Sequence, residues 1–170
     1  YTKVYDGIPL ESNPDGWTLK TPLMDGDSIF VSFKYTQTIP GKVQNAVSVT
    51  IVNSSNQNVT HLYKVKTTFG YLTVTGRPIE ITAESASKEY DGTPLTCKEY
   101  QITGGFGLLP GHTIEVEIEG ETIDGFSENI ITKVSIYDES NHDITYYYYI
   151  STISGYLMIE YFLIERRKRP

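Results

Sequence analysis

The sequence predicts an all-β chain, and three observations carry that reading. The chain is written twice: Tyr5-Asp6-Gly7-Ile8-Pro9-Leu10 returns as Tyr90-Asp91-Gly92-Thr93-Pro94-Leu95, a period of 90 − 5 = 85. Self-similarity at a fixed period means one structural unit used twice. Apolar and polar residues also alternate, most cleanly in Ile114-Glu115-Val116-Glu117-Ile118-Glu119, which puts one face of a strand on a core and carboxylates on the other. Turn residues punctuate the chain about every 8–12 positions, and neither repeat shows the 3.6-residue period of an amphipathic helix. Together these specify two tandem immunoglobulin-like β-sandwich modules, with β-grasp-like modules as the alternative.

Taken in order, residues 1–76 form the first repeat, which begins too late to carry an opening strand. Its Tyr-Asp-Gly turn leads through Pro14-Asp15-Gly16 and Asp25-Gly26-Asp27 to a strand at 29–33. Pro40-Gly41 precedes a strand at 47–51, Asn53-Ser54-Ser55-Asn56 a strand at 63–66, and the last strand is 71–74. Gly supplies positive φ in such turns, and Asn or Asp bonds its own backbone. The second repeat, 77–160, opens after the linker Thr75-Gly76-Arg77-Pro78 with a strand at 79–82. Around 100–109 one short helical turn is accommodated, then come the strand at 114–119 and the turn at 138–141. At the period of 85, Ile29 matches Ile114, Val49 matches Val134 and Gly70-Tyr71-Leu72 matches Gly155-Tyr156-Leu157. Thr38-Ile39-x-Gly41 instead matches Thr122-Ile123-x-Gly125 at 122 − 38 = 84, so one residue is gained or lost before Val49. Residues 161–170 read as a basic tail, or as the start of a further linker, because Arg169-Pro170 echoes Arg77-Pro78.

Composition narrows the function. A net charge of −7 argues against nucleic acid, whose phosphates need a basic face. No apolar run approaches the roughly 18 residues of a spanning helix, so membrane insertion of this stretch is not expected. The single cysteine, Cys97, answers Ser12 and offers neither an internal disulfide nor a thiolate metal site.

Duplication also tests candidate chemistry, since a site used by both units should occur in both. The histidines fail: His61 answers Tyr146, His112 answers Asp27 and His142 answers Gln57. An enzyme is therefore not expected, and neither are catalytic residues, a metal or a cofactor. Residues 138–143 hold oxygen ligands at alternate positions, as half a calcium loop would, but lack its glycine and its closing glutamate. The first copy, 53–58, carries no carboxylate, so a hairpin turn explains both. The recurring motif of Tyr5, Asp6, Gly7, Pro9 and Leu10, and of Tyr90, Asp91, Gly92, Pro94 and Leu95, reads as a structural turn. Asp accepts local backbone bonds, Gly takes positive φ, Pro stiffens the exit, and Tyr and Leu pin the ends to the core. Tyr146, Tyr147, Tyr148 and Tyr149 are consecutive; on a strand two of them face outward, where aromatic rings suit glycan stacking or protein contact.

The signature running from Ser87-Lys88-Glu89-Tyr90-Asp91-Gly92-Thr93-Pro94-Leu95 through Leu109-Pro110-Gly111-His112-Thr113-Ile114-Glu115-Val116 to Asp143-Ile144-Thr145, Tyr148 and Gly155-Tyr156-Leu157 resembles the YDG/MBG-type tandem repeats of bacterial surface proteins, mostly of Firmicutes. The resemblance covers almost the whole chain, twice. It departs from the pattern where Asn58 stands for Asp143 and where Tyr161-Phe162-Leu163 replaces a threonine-rich exit. It implies a non-catalytic stalk repeat of an adhesin-like protein on a Gram-positive surface or secreted from it, spacing or presenting a binding domain. Its partners are then neighbouring repeats of the same chain, and the module itself is a monomer. The alternative is a module that binds a host glycan or protein through exposed tyrosines. The resemblance also draws attention to a Lys-to-Asn isopeptide bond, for which Lys3 and Lys88 with Asn45 and Asn129 recur. That bond needs a neutral lysine desolvated beside an acid.

Overall fold

A computed structural model describes residues 1–162 of the chain, and these divide into two compact units, Tyr1–Gly76 and Arg77 onward. The basic run at 166–170 lies outside the described residues. Both units are all-β, their only helical pieces among the described residues being the 3-10 turns Thr60–Leu62 and Thr145–Tyr147.

The first unit contains β1 (Thr2–Val4), β2 (Ser28–Phe33), β3 (Gly41–Gln44), β4 (Val47–Val52) and β5 (Tyr71–Thr75). β5 lies between β1, to which it is parallel, and β3, to which it is antiparallel, while β2 and β4 form a separate antiparallel pair. The second unit contains β6 (Arg77–Ala83), β7 (Ala86–Glu89), β8 (Tyr100–Gly105), β9 (Thr113–Glu119), β10 (Gly125–Tyr137), β11 (Tyr148–Ile153) and β12 (Gly155–Glu160). One sheet runs β7-β12-β10-β9 and the other β11-β6-β8. Their inner faces share one core, in which Ile79, Ile81 and Ala83 of β6 meet Ile118, Ile131 and Ile136 of β9 and β10. Each such isoleucine withdrawn from water contributes about 1.5–3 kcal/mol.

The pairing recurs in register. Ile29 faces Ile51 as Ile114 faces Ile136, and Lys3 faces Val74 as Lys88 faces Ile159. The isolated bridge Leu10–Gln37 returns as Leu95–Thr122. The change of offset also has a structure. In the first unit Phe33 pairs with Val47 and Ser32 with Ser48 without interruption. In the second, Ile118 pairs with Ile131 and Glu117 with Lys133, so Thr132 is the extra residue and stands in a β-bulge. Because side chains alternate with a period of two, the bulge absorbs the insertion and keeps Ile131 and Ile136 on the core face.

Three expectations need correction. Residues 63–66 form no strand, whereas the matching β11 does. β11 has β6 as a parallel neighbour, and the first unit has no counterpart of β6 among its described residues. Residues 100–105 are strand β8 rather than a helical turn, held antiparallel on the other side of β6. Arg77 and Pro78 are no linker but the first residues of β6, a strand position that tolerates the missing N–H of proline.

Candidate functional site

The Tyr-Asp-Gly turn is built identically at its centre in both units. Gly7 and Gly92 both sit at φ +80, a conformation a side chain would oppose. Asp6 Oδ1 accepts the Ile8 N–H at 2.9 Å and the Lys3 ammonium at 2.6 Å. Asp91 Oδ1 accepts the Thr93 N–H at 2.9 Å, the Thr93 hydroxyl at 2.7 Å and the Lys88 ammonium at 2.8 Å. The lysine reaches on to the Ile8 carbonyl in one copy and to the Pro94 carbonyl in the other. These lysines hold both carboxylates below the ordinary value of 3.8, with the turn's own N–H groups acting in the same direction. An acid bonded this fully is kept in its charged form, which suits a fastening rather than proton transfer.

The tyrosines of the motif differ. Tyr5 is 6% exposed, whereas Tyr90 is half exposed and stacks on Tyr161 with ring centroids 4.9 Å apart. Pinning to the core thus holds for Tyr5 and not for Tyr90. Leu10 and Leu95 are half-buried, and Pro9 and Pro94 exposed.

The four consecutive tyrosines have separate fates. Tyr146 and Tyr147 belong to the 3-10 turn, so strand alternation does not govern them. Tyr146 is exposed and meets Tyr147 edge to face at 4.5 Å, while Tyr147 packs against the core. Tyr148 is buried; its hydroxyl accepts the Leu109 N–H at 3.0 Å and meets His112 Nδ1 at 2.7 Å. Burial raises its pKa, with the Leu109 bond acting in the opposite direction. Tyr149 is 72% exposed. The outward pair is therefore Tyr146 and Tyr149, which in the first unit is replaced by His61 and Lys64.

One exposed aromatic does recur, and sequence reasoning passed over it. Tyr71 and Tyr156 stand outward beside the fully buried Leu72 and Leu157. The repeated Gly-Tyr-Leu, read with period two, was the available signal. Tyr156 stacks with Phe126 at 6.2 Å, and Tyr71 lies beneath the Lys42 ammonium at 3.8 Å.

The isopeptide residues are not brought together. Lys88 pairs with Ile159 and Asn129 with Gly155, four residues apart on β12, which is roughly 13 Å of strand. Lys88 is engaged by Asp91, while the Asn129 amide donates to the Glu84 and Cys97 carbonyls at 2.8 and 3.0 Å. The acidic turn at 138–143 also closes on itself. Asp138 Oδ1 accepts the N–H groups of Ser140 and His142, as Asn53 Oδ1 accepts those of Ser55 and Gln57. Asn141 and Asn56 take φ +62 and +58 in the same place. One turn geometry thus serves with and without a charge.

Comparison of the chain with protein-family models, with curated proteins and with solved structures gives no match.

Proposed function

We propose that the chain is a non-catalytic, load-bearing pair of repeats from a stalk on a bacterial surface, which spaces or presents a binding domain. The observation that carries this reading is how each unit closes. In each unit the last strand is the parallel neighbour of a strand near the start, β5 of β1 and β12 of β7, and in the second unit the first strand, β6, is likewise parallel to β11. Pulling apart the ends of parallel neighbours loads their ladder bonds together, in shear, whereas antiparallel neighbours open one bond at a time. The recurring polar groups, Lys3–Asp6 with Lys88–Asp91 above all, fasten turns beside those strands. Face-to-face sheets around one core support a sandwich over a β-grasp module. The parallel pairings set it apart from an immunoglobulin sandwich with antiparallel sheets.

Single-molecule stretching of the whole chain tests the proposal. Attached at its termini, it gives two discrete unfolding events. Attached at 113 and 137, across the antiparallel β9–β10 pair, it opens at lower force. Equal forces in the two geometries would remove the mechanical reading.

A glycan- or protein-binding module is the second reading, supported by the exposure of Tyr146 and Tyr149. It predicts glycan-array or host-protein binding that Tyr146→Ala with Tyr149→Ala abolishes.

A further inference from the structure

The first unit contains a groove of about 640 Å³. Its floor is the apolar face of β2 and β4, including Ile29, Val31, Val49 and Ile51, and its rims are the backbone runs 16–23 and 63–68. The groove has a filled counterpart 85 residues on. Ile114, Val116, Val134 and Ile136 match that floor, and in the second unit they pack in the core that holds Ile79, Ile81 and Ala83 of β6. The rims match β8 and β11, which flank β6 on either side.

Three observations mark the groove as an open strand position. The rims form no ladder: residues 17–20 and 64–68 belong to no strand, although their counterparts in β8 and β11 pair with β6 at every position but Thr103, which stands at an irregularity of the β6–β8 ladder. Backbone without a ladder partner is a template for strand addition. One rim leaves its apolar side chain in water. Val65 is 42% exposed, whereas its counterpart Ile150 packs against the core. The charge is one-sided as well, because among the described residues Lys20, Lys64 and Lys66 line the groove and no carboxylate does. In the second unit Ser151, the counterpart of Lys66, pairs with Glu80 of β6.

We propose that this groove takes a β-strand of the β6 type, Ile-x-Ile-x-Ala with a carboxylate between the isoleucines. The strand runs parallel to 63–68 and antiparallel to 15–20 and is joined directly ahead of β1. Its two isoleucines and alanine cover the half-buried Ile29, Val31 and Val49 and the rim's Val65, and its carboxylate lies beside Lys66. The connection is short enough, since in the second unit only Glu84 and Ser85 separate β6 from β7. A β6 borrowed from a second copy is disfavoured, because Ile79 and Ile81 are 1% and 0% exposed in their own core.

The test places the sequence of 77–85 immediately ahead of Tyr1 in the full chain, which continues the repeat without a gap. A control graft carries aspartate at both positions that correspond to Ile79 and Ile81. Trp17, the chain's single tryptophan, lines the groove and reports on it. The expected result is a blue shift of its emission and amide exchange slowed about tenfold or more at 17–20 and 63–68, in a monomer. The control graft produces neither effect. Unchanged exchange on both rims, an equal response to the control, or protection that arises only with dimerisation would each overturn the proposal. The free peptide 77–83 added in trans is the second arm: protection of the same amides supports the slot, and its absence together with a silent graft refutes it.

Discussion

The hydroxyl of Tyr148 joins the Leu109 N–H to the ring of His112, and in the first unit the hydroxyl of Tyr63 joins the Met24 N–H to the carboxylate of Asp27. One tyrosine position thus ties the same loop in both units, although its second partner changes from a carboxylate to an imidazole. The tie belongs to the fold and the partner is interchangeable. Tyr148→Phe removes the acceptor of a part-buried N–H and is expected to cost about 1–3 kcal/mol. Tyr63→Phe costs less, about 1 kcal/mol, because water reaches its surroundings more easily. Urea denaturation of each variant, compared with the parent chain, measures both.

Acid should weaken the chain through its turns. Asp6, Asp91, Asp138 and Asp143 all have pKa values depressed below 3.8 in the folded protein, by Lys3, Lys88, the His142 N–H and the Thr145 hydroxyl respectively. The unfolded chain takes up protons first as the pH falls, so their contribution is complete above about pH 4 and is lost as the pH drops through the folded values. Denaturation midpoints measured from pH 7 to pH 2 should therefore fall below pH 4, and Asp91→Asn should flatten that fall. A midpoint independent of pH in this window would contradict the assignment.

Two glycines with similar backbone angles should respond differently to alanine. Gly92, at φ +80, has open space where a Cβ would stand, so Gly92→Ala meets only the left-handed backbone penalty of about 1–2 kcal/mol. Gly105, at φ +77, would place its Cβ 2.3 Å from the Pro78 carbonyl oxygen. Backbone must then move in the β6–β8 pair, and a loss above about 3 kcal/mol is expected. Thermal unfolding of the two variants side by side checks the ranking.

Deleting Thr132 should be tolerated. The deletion restores the uninterrupted pairing that the first unit already uses between β2 and β4, at an expected cost within about 1 kcal/mol. Removing Ser135 instead leaves the bulge in place and shifts the register beyond it, turning the fully buried Ile136 out of the core and into the place of Ser135 on the opposite face, at several kcal/mol. Circular dichroism and denaturation of the two deletions distinguish them.

Much of the fold was legible because duplication converts sequence into register. Ile29 with Ile51 and Ile114 with Ile136 stand in equivalent pairs, and the Asp-Gly and Asn turns formed where their side-chain chemistry placed them. The local geometry of the Tyr-Asp-Gly turn was equally legible, since it is made by residues at most a few positions apart. Burial of its tyrosine was not: the same motif buries Tyr5 and exposes Tyr90, because burial depends on what tertiary structure brings alongside.

By itself the sequence determined the strands whose partners it also contains, together with the turns that need only their own side chains. Tertiary structure alone decided that 148–153 is a strand while the matching 63–68 is not, since a strand consists of bonds to a neighbour and only the second unit places β6 between the two flanks. It also decided which of four adjacent tyrosines face water, because a 3-10 turn interrupts the alternation that a strand would have imposed. Local chemistry acts within a few residues, whereas a ladder or a core requires a partner brought from a distance.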